Sequence, residues 1–258
     1  MEADEYVKLA AVEDRMWYFR ALHAHVARAL DGGGLPEDAN VLDAGCGTGG
    51  LIRRLSAQHP GWNWTGVDLS AAACRFARER VGPTTEIKET SVTELPFPAA
   101  SFDAVVSADV LYHVADDAAA LREFARVLRP GGVVIINVPA YRWLWSYHDE
   151  AVHSCRRYGR HEVLTKLAAA GLVDAATTFW NTLPFPLVVA RRKLLPRPSD
   201  GSDVHLFPPV VEAAFDVAMA CERAWLRGVG PLPFGVSIFA VARKAVDREG
   251  SERSTSQP

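Results

Sequence analysis

The sequence predicts an α/β fold, a mainly parallel sheet with helices on both faces. Three observations carry this. Short apolar segments rich in β-branched residues alternate with amphipathic helical segments across residues 40–138. Successive strands are separated by helices rather than by hairpin turns, the mark of βαβ units. The first strand also runs into a glycine-dense turn, VLDAGCGTGGL at 41–51, which opens a helix. With 258 residues, 49% of them hydrophobic and 23% charged, the chain can bury one substantial core.

The elements follow in order. Residues 1–30 read as one helix, because Tyr6, Leu9, Ala10, Val12, Met16, Phe19 and Leu22 recur at helical intervals before DGGGLPED stops the run. Residues 40–43 form a short apolar strand, 51–58 a helix ended by His59-Pro60-Gly61, and 63–68 a second strand. Ser70 caps a helix over 71–80. Residues 84–89 alternate as a strand, 102–107 is a strand of the buried type, 116–128 is an amphipathic helix ended by RPGG, and 133–138 is a further strand. Beyond Pro139 the pattern weakens. A helix around Leu164 and Leu167 leads to Gly171, 173–180 is a strand, 183–209 wraps the surface, 209–227 is helical, and 236–243 is a closing strand.

Bulk properties exclude several functions. A formal net charge of -3 offers no overall attraction to nucleic acid. Cys46, Cys74, Cys155 and Cys221 lie far apart without a CxxC pair, so neither a zinc site nor a disulfide framework is expected. The acidic start, MEADEYVKLAAVEDR, is not a secretory signal, and the expected location is cytoplasmic. No apolar run approaches the ~18–20 residues of a membrane span. Peripheral membrane contact stays open.

The glycine turn fits two adenosine cofactors. Gly45, Gly47 and Gly50 satisfy GxGxxG, and Asp68 follows about twenty residues later, where a carboxylate grips a ribose diol. Asp43 separates the candidates. It ends the strand two residues before Gly45, where its charge repels a pyrophosphate but attracts the sulfonium and ammonium of S-adenosylmethionine.

VLDAGCGTG resembles the first motif of the class I S-adenosylmethionine-dependent methyltransferases. GVDLS at 66–70 resembles the family's second strand with its ribose acid. SVTELPFPAASFDAVVSADVLYHV at 91–114 resembles the adenine-binding segment and fourth strand, and LREFARVLRPGGVVIINVP at 121–139 the following helix and fifth strand. The likeness covers roughly residues 39–140 in motif order. It implies a Rossmann-like, seven-stranded sheet with an antiparallel closing strand, S-adenosylmethionine as cofactor, and methyl transfer to a small-molecule acceptor, which the residues after the fifth strand suggest is anionic or lipid-linked. Alternatives are an S-adenosylmethionine-binding protein with a non-methylating or regulatory role, and an NAD-dependent oxidoreductase, which Asp43 disfavours.

Residue by residue, the resemblance implies that Asp43 and the Gly45, Cys46 and Gly47 backbone hold the methionine part and that Asp68 takes the ribose hydroxyls. Leu69 packs on the adenine, and Ser91 and Val92 stand where many relatives carry an aspartate and a small residue. Ala108 and Asp109 line the sulfonium end. Upstream, RMWYFRALHAHV at 15–26 resembles a helix that closes over the cofactor, with Arg20 meeting the ligand carboxylate and Trp17, Tyr18 and Phe19 as wall, Tyr18 on the acceptor side. The expected division is a lid helix at 1–34, a cofactor-binding core at 35–140, a substrate cap with the closing strands at 141–245, and a disordered tail at 246–258.

The acceptor is expected to meet WSYHDEAVHSCRRYGRHE at 145–162, which follows the fifth strand. If 153–157 is helical, His153, Arg156 and Arg157 share a face suited to a phosphate or carboxylate. His148 and His153 are candidate general bases, and Asp149 and Tyr158 complete the candidate substrate set. The arginines could equally pair with Asp149, Glu150 or Glu162. No metal is expected, because His148, Asp149 and His153 do not share a helical face. Further on, ARRKLLPR at 190–197 follows the apolar LPFPLVVA and reads as a solvated face with its apolar part anchored in the core, or as a contact for an anionic membrane or a lipid-linked substrate. His205, Trp180 and Asn181 are further neighbours that no spacing places.

Overall fold

The computed structural model describes residues 3–196 and 203–246, so Arg197 and, apart from Val246, the expected disordered tail lie outside the described residues. Two helices, α1 (Ala3–Val12) and α2 (Trp17–Asp31), precede an alternating run. It comprises β1 (Asn40–Ala44), α3 (Gly50–Ser56), β2 (Asn63–Asp68), α4 (Ala71–Val81), β3 (Glu86–Glu89), β4 (Phe102–Ala108), α5 (Asp117–Val127) and β5 (Leu128–Pro139). The remainder is α6 (Tyr147–Ala151), α7 (Arg160–Ala169), β6 (Leu172–Trp180), α8 (Phe185–Lys193), α9 (Pro209–Gly228) and β7 (Ser237–Lys244).

The sheet has seven strands in the order β3-β2-β1-β4-β5-β7-β6. All pairs are parallel except those of β7, which runs antiparallel to β5 and β6. This is the Rossmann-like sheet with an antiparallel closing strand that the sequence predicts. Its central strands alternate between two cores. Ala104, Val106, Val133 and Ile135 pack with α2, α3 and α4 on one face, and Val105, Val134 and Ile136 pack with α5 and α7 on the other. Strand order reverses between β1 and β4, which opens a crevice at their carboxyl ends.

Four local expectations are corrected. The helix expected over residues 1–30 breaks at 13–16, because Glu13 turns inward: its carboxylate accepts from Thr48 Oγ1 at 2.5 Å and pairs with Arg80 at 2.6 Å. Strand β5 starts at Leu128 and runs through RPGG, with a shift of register against β4 between Phe102 and Ala104. Residues 153–157 are not helical, and His153 has a left-handed φ of 55°. Finally, 183–209 contains α8, which reads poorly from sequence because Pro184 and Pro186 suggest a loop, yet both sit at the helix start, where proline fits. No residue of α8 is fully buried, so the apolar part of that segment is not anchored in the core.

One helix face carries a pH dependence. His25 packs between Trp180 and Phe239, with ring centroids 5.0 and 5.8 Å away, and its Nε2 meets no partner among the described residues. Burial, aided by Arg223 and Arg28, pushes its pKa down to about 4. The unfolded chain therefore takes up a proton between pH 6.5 and 4 that the folded one refuses, and stability falls as pH falls through that window. His25→Phe is expected to flatten the decline of thermal midpoint between pH 7 and 5. An unchanged slope would show that His25 contributes none of it.

Candidate active site

The glycine turn is closed from two sides. Gly45 N and Cys46 N both donate to Val67 O at 2.8 Å, which ties the turn to β2. Gly45 has φ +99°, and a Cβ there would overlap Val110 Cγ2 in the loop after β4. Only glycine meets both demands. Gly47 N donates to Asp68 Oδ2 at 3.0 Å, and Ser70 N to Oδ1 at 2.9 Å, so the acid after β2 is oriented by backbone amides. Burial raises the Asp68 pKa, and those amides oppose the rise.

Asp43 is only 2% exposed, and no donor among the described residues reaches its carboxylate. Burial pushes its pKa well up, and the Glu13 and Asp68 carboxylates push it further. A buried acid that faces two other acids and no cation is electrostatically incomplete. A positive ligand group would complete it.

Helix α1 lies over this site. Leu9 packs 3.8 Å from the position of a Cβ at Gly47, and burial, with the Asp68 carboxylate adding to it, pushes the Tyr6 phenol up to about 12. Arg20, expected at the ligand carboxylate, is held elsewhere: its guanidinium pairs with Asp216 at 2.5 Å and Glu212 at 3.4 Å on α9, two acids that sequence distance conceals. The arginine at the glycine turn is Arg80, which donates to Thr48 O at 3.0 Å and to Glu13. Leu69 is 74% exposed, an apolar side chain left open beside Asp68. Ser91 Oγ lies 2.7 Å from Thr93 Oγ1, Val92 is in the core, and the Cys46 side chain is buried against Gly66, which leaves only its backbone for a ligand.

At the carboxyl ends of β4, β5 and β6 a polar network crosses the crevice. Tyr18 Oη donates to Asp109 Oδ2 at 2.7 Å; Asn137 Nδ2 donates to Asp109 Oδ1 at 2.7 Å and to Tyr18 Oη at 3.2 Å. Trp180 Nε1 donates to Asn137 Oδ1 at 2.7 Å, and its ring stacks on Tyr18 with centroids 5.2 Å apart. Asp109 has φ 60° and a pKa raised by burial to about 6, with the Tyr18 and Asn137 hydrogen bonds restraining the rise. Ala108 precedes it, half-buried.

In the cap segment Arg157 takes the Asp149 pairing considered as an alternative, and the shared face of His153, Arg156 and Arg157 does not form. Arg157 and Asp149 form an ion pair at 2.6 Å with both side chains 2% exposed, and Arg157 Nη1 donates to Ala140 O at 2.9 Å. Arg156 pairs with Asp117 at 3.2 Å and donates to Ala115 O at 2.6 Å. Tyr158 is buried in the core and donates to Asp117 at 2.8 Å. His153 is exposed, so His153, Arg156 and Arg157 do not form the single face considered above. His148 is half-buried, and its Nδ1 accepts from Asp203 N at 3.1 Å. Burial first, then the Arg192 charge, pushes His148 down to about 4, which keeps it neutral but weakens it as a base.

Sequence reasoning missed Glu13, Arg80, Asn137 and Asp203 and read Arg192 first as part of a solvated face, with a membrane or lipid-linked substrate contact as the alternative. Asn137 carried a signal, being the one polar residue in VVIINV; the others are brought in by folding and carry none. The four cysteines are free, and among the described residues no helix is long and apolar enough to cross a membrane.

Comparison with known proteins adds a family context. Residues 42–136 match a family model described as a methyltransferase domain. A trans-aconitate 2-methyltransferase from Azoarcus is 30% identical over 200 residues, covering 78% of this chain and 71% of that protein. A 2-methyl-6-phytyl-1,4-hydroquinone methyltransferase from Synechocystis is 36% identical over 104 residues, covering 40% of this chain and 32% of the relative. Against several curated relatives the chain spans less than two thirds of their length, from 32% to 62%. Among solved structures, a chain of the complex between the Haloferax volcanii Trm112 methyltransferase activator and its methyltransferase partner superposes with a TM-score of 0.62 at 23% identity, covering 93% of this chain and 98% of that one.

Proposed function

We propose that this chain, which belongs to the class I S-adenosylmethionine-dependent methyltransferases, transfers a methyl group from S-adenosylmethionine to a small-molecule acceptor. The observation that carries the reading is Asp43, a buried carboxylate with two acidic neighbours and no donor among the described residues. The residues present fit the cofactor. Asp43 and the 45–47 backbone would hold the methionine part, Asp68 the ribose, Leu69, Ser91 and Val92 the adenine, and Ala108 with Asp109 the sulfonium end. Arg20 serves the α2–α9 contact in this proposal, and Arg80 braces the turn. The cofactor supplies an electrophilic methyl group on a good leaving group.

This chain's own residues then have to position the acceptor and exclude water. Tyr18, Asp109 and Asn137 are held by one another, so a nucleophile placed there meets preoriented polar atoms and a carboxylate with a pKa near 6. Asp109 is therefore a better proton acceptor near neutral pH than His148, and exposed His153 is given no catalytic role. Of residues 1–34, α1 acts as the lid while α2 is part of the core; 35–140 serve as cofactor core and 141–245 as cap.

The test is calorimetry with S-adenosylhomocysteine and with NADH, followed by a methyl-transfer screen over small organic acids and amphiphiles. Binding of the first ligand alone is expected. Tight NADH binding without S-adenosylhomocysteine binding would overturn the reading. Tyr18→Phe is expected to lower turnover about tenfold or more, the range for one positioned polar group, with unchanged cofactor affinity.

A further inference from the structure

On the methyltransferase reading, on which this inference rests, the acceptor must be held by this chain beyond Asp109. We propose that Arg192 on α8 binds an anionic group of the acceptor, a phosphate or a carboxylate. The Arg192 side chain is 7% exposed, and its Nε and Nη2 donate to Asp203 Oδ2 at 3.2 and 2.9 Å. Its Nη1 is buried and meets no acceptor among the described residues. That nitrogen carries two N–H donors, and a buried charged donor without an acceptor is a costly arrangement unless a ligand supplies one.

The surroundings complete an anion's requirements. Burial lowers the Arg157 pKa and the Arg192 charge lowers it further, so two guanidiniums repel each other here. An anion bound at Arg192 offsets that repulsion. His148 Nδ1 accepts the Asp203 amide, which places the proton of the neutral ring on Nε2 as a further donor. The acidic groups are already committed: Asp149 to Ser146 and Arg157, Asp203 to Tyr147 and Arg192. Burial, then the Asp109 and Asp149 carboxylates, raise the Tyr112 phenol, and the Arg157 and Arg192 charges oppose the rise, so that phenol feels both charge clusters.

The oxyanion can belong to a free metabolite or to a lipid headgroup. The second source has a surface to come from: Leu183, Leu187, Leu194 and Leu195 around α8 are exposed. Both sources are tested with the full chain saturated with S-adenosylhomocysteine. Inorganic phosphate is titrated by calorimetry, and phosphatidylcholine vesicles with and without phosphatidic acid are used in sedimentation. Expected is millimolar or tighter phosphate binding, weakened at least tenfold by Arg192→Gln and tightened severalfold by Asp203→Asn, which frees the guanidinium. Binding to the phosphatidic acid vesicles that Arg192→Gln abolishes assigns the headgroup source; phosphate binding without it assigns a free metabolite.

Wild-type protein that binds S-adenosylhomocysteine but neither phosphate nor vesicles overturns the inference and leaves the cofactor reading standing. Equal phosphate affinity in wild type and both variants overturns it too. Should Arg192→Gln fail to fold, Asp203→Asn decides, since weaker or unchanged binding in that variant contradicts a site centred on Arg192. Absence of S-adenosylhomocysteine binding in the wild type is a failure of the cofactor reading instead.

Discussion

Asp43→Asn is expected to raise the thermal midpoint of the ligand-free protein while weakening S-adenosylmethionine and S-adenosylhomocysteine at least a hundredfold. Both effects have one cause. In the free protein the carboxylate is buried, faces Glu13 and Asp68, and accepts from no described donor, so its ionised form is disfavoured. A carboxyl whose folded pKa is raised loses stability as pH rises above its unfolded value, about 3.9, towards the folded one. The amide has no charge to desolvate. Removing such a penalty is worth about 1–3 kcal/mol, or a few degrees in a chain of this size. The gain should shrink as the buffer is taken from pH 8 to pH 5.

The ligand, by contrast, loses its anionic partner. Truncating one side of a buried charge pair costs roughly 3–5 kcal/mol, which is two to three orders of magnitude in affinity. Scanning calorimetry and titration calorimetry on the same preparation read the two effects. A variant that is destabilised, or that binds cofactor like wild type, contradicts the place given to Asp43.

Asp149→Ala is expected to be the most destabilising single substitution in the cap. The pair with Arg157 is 2.6 Å long with both side chains 2% exposed. Asp149 Oδ2 also accepts from Ser146 N at 2.9 Å and so caps α6. Arg157 in turn holds the Ala140 carbonyl just after β5, which pins the cap to the strand end. Alanine leaves the guanidinium charged, buried and without its carboxylate, at a cost of about 3–5 kcal/mol, or on the order of 10 °C. Asp149→Leu combined with Arg157→Met should recover most of the loss, because the uncompensated charge is gone. Chemical denaturation of the single and double variants checks this. A single-variant loss under about 1 kcal/mol would return Asp149 to the acceptor site first expected for it.

The cofactor half of the molecule was legible because its chemistry is local. Asp43, Gly45 and Gly47 lie within five residues, and strand and glycine turn constrain one another through backbone geometry alone. The β-branched run at 133–138 likewise forecast a strand, and Val133, Ile135 and Val134, Ile136 divide between the two cores. Asn137 could have been singled out from the same strand, since an amide amid five apolar residues needs partners, and it finds Asp109, Tyr18 and Trp180.

The cap was not legible in this way. HDEAVHSCRRY invited a helical face of His153, Arg156 and Arg157, but helix periodicity is only a statement about neighbours in sequence. Asp117, forty residues upstream, takes Arg156 and Tyr158, while Asp149 takes Arg157. Arg20 was drawn from the ligand in the same manner by Asp216 and Glu212, nearly two hundred residues away.

The sequence by itself determined the fold, the order of its strands and helices in the core, and the acid-and-glycine turn that selects a cationic adenosine ligand, because each depends on periodicity or backbone conformation within a short span. Which charges remain free to meet an acceptor was decided only by tertiary structure. Charge pairing acts through space, and a buried guanidinium is spent or available according to whichever carboxylate folding brings beside it. Arg156 and Arg157 found theirs; one nitrogen of Arg192 meets no acceptor among the described residues.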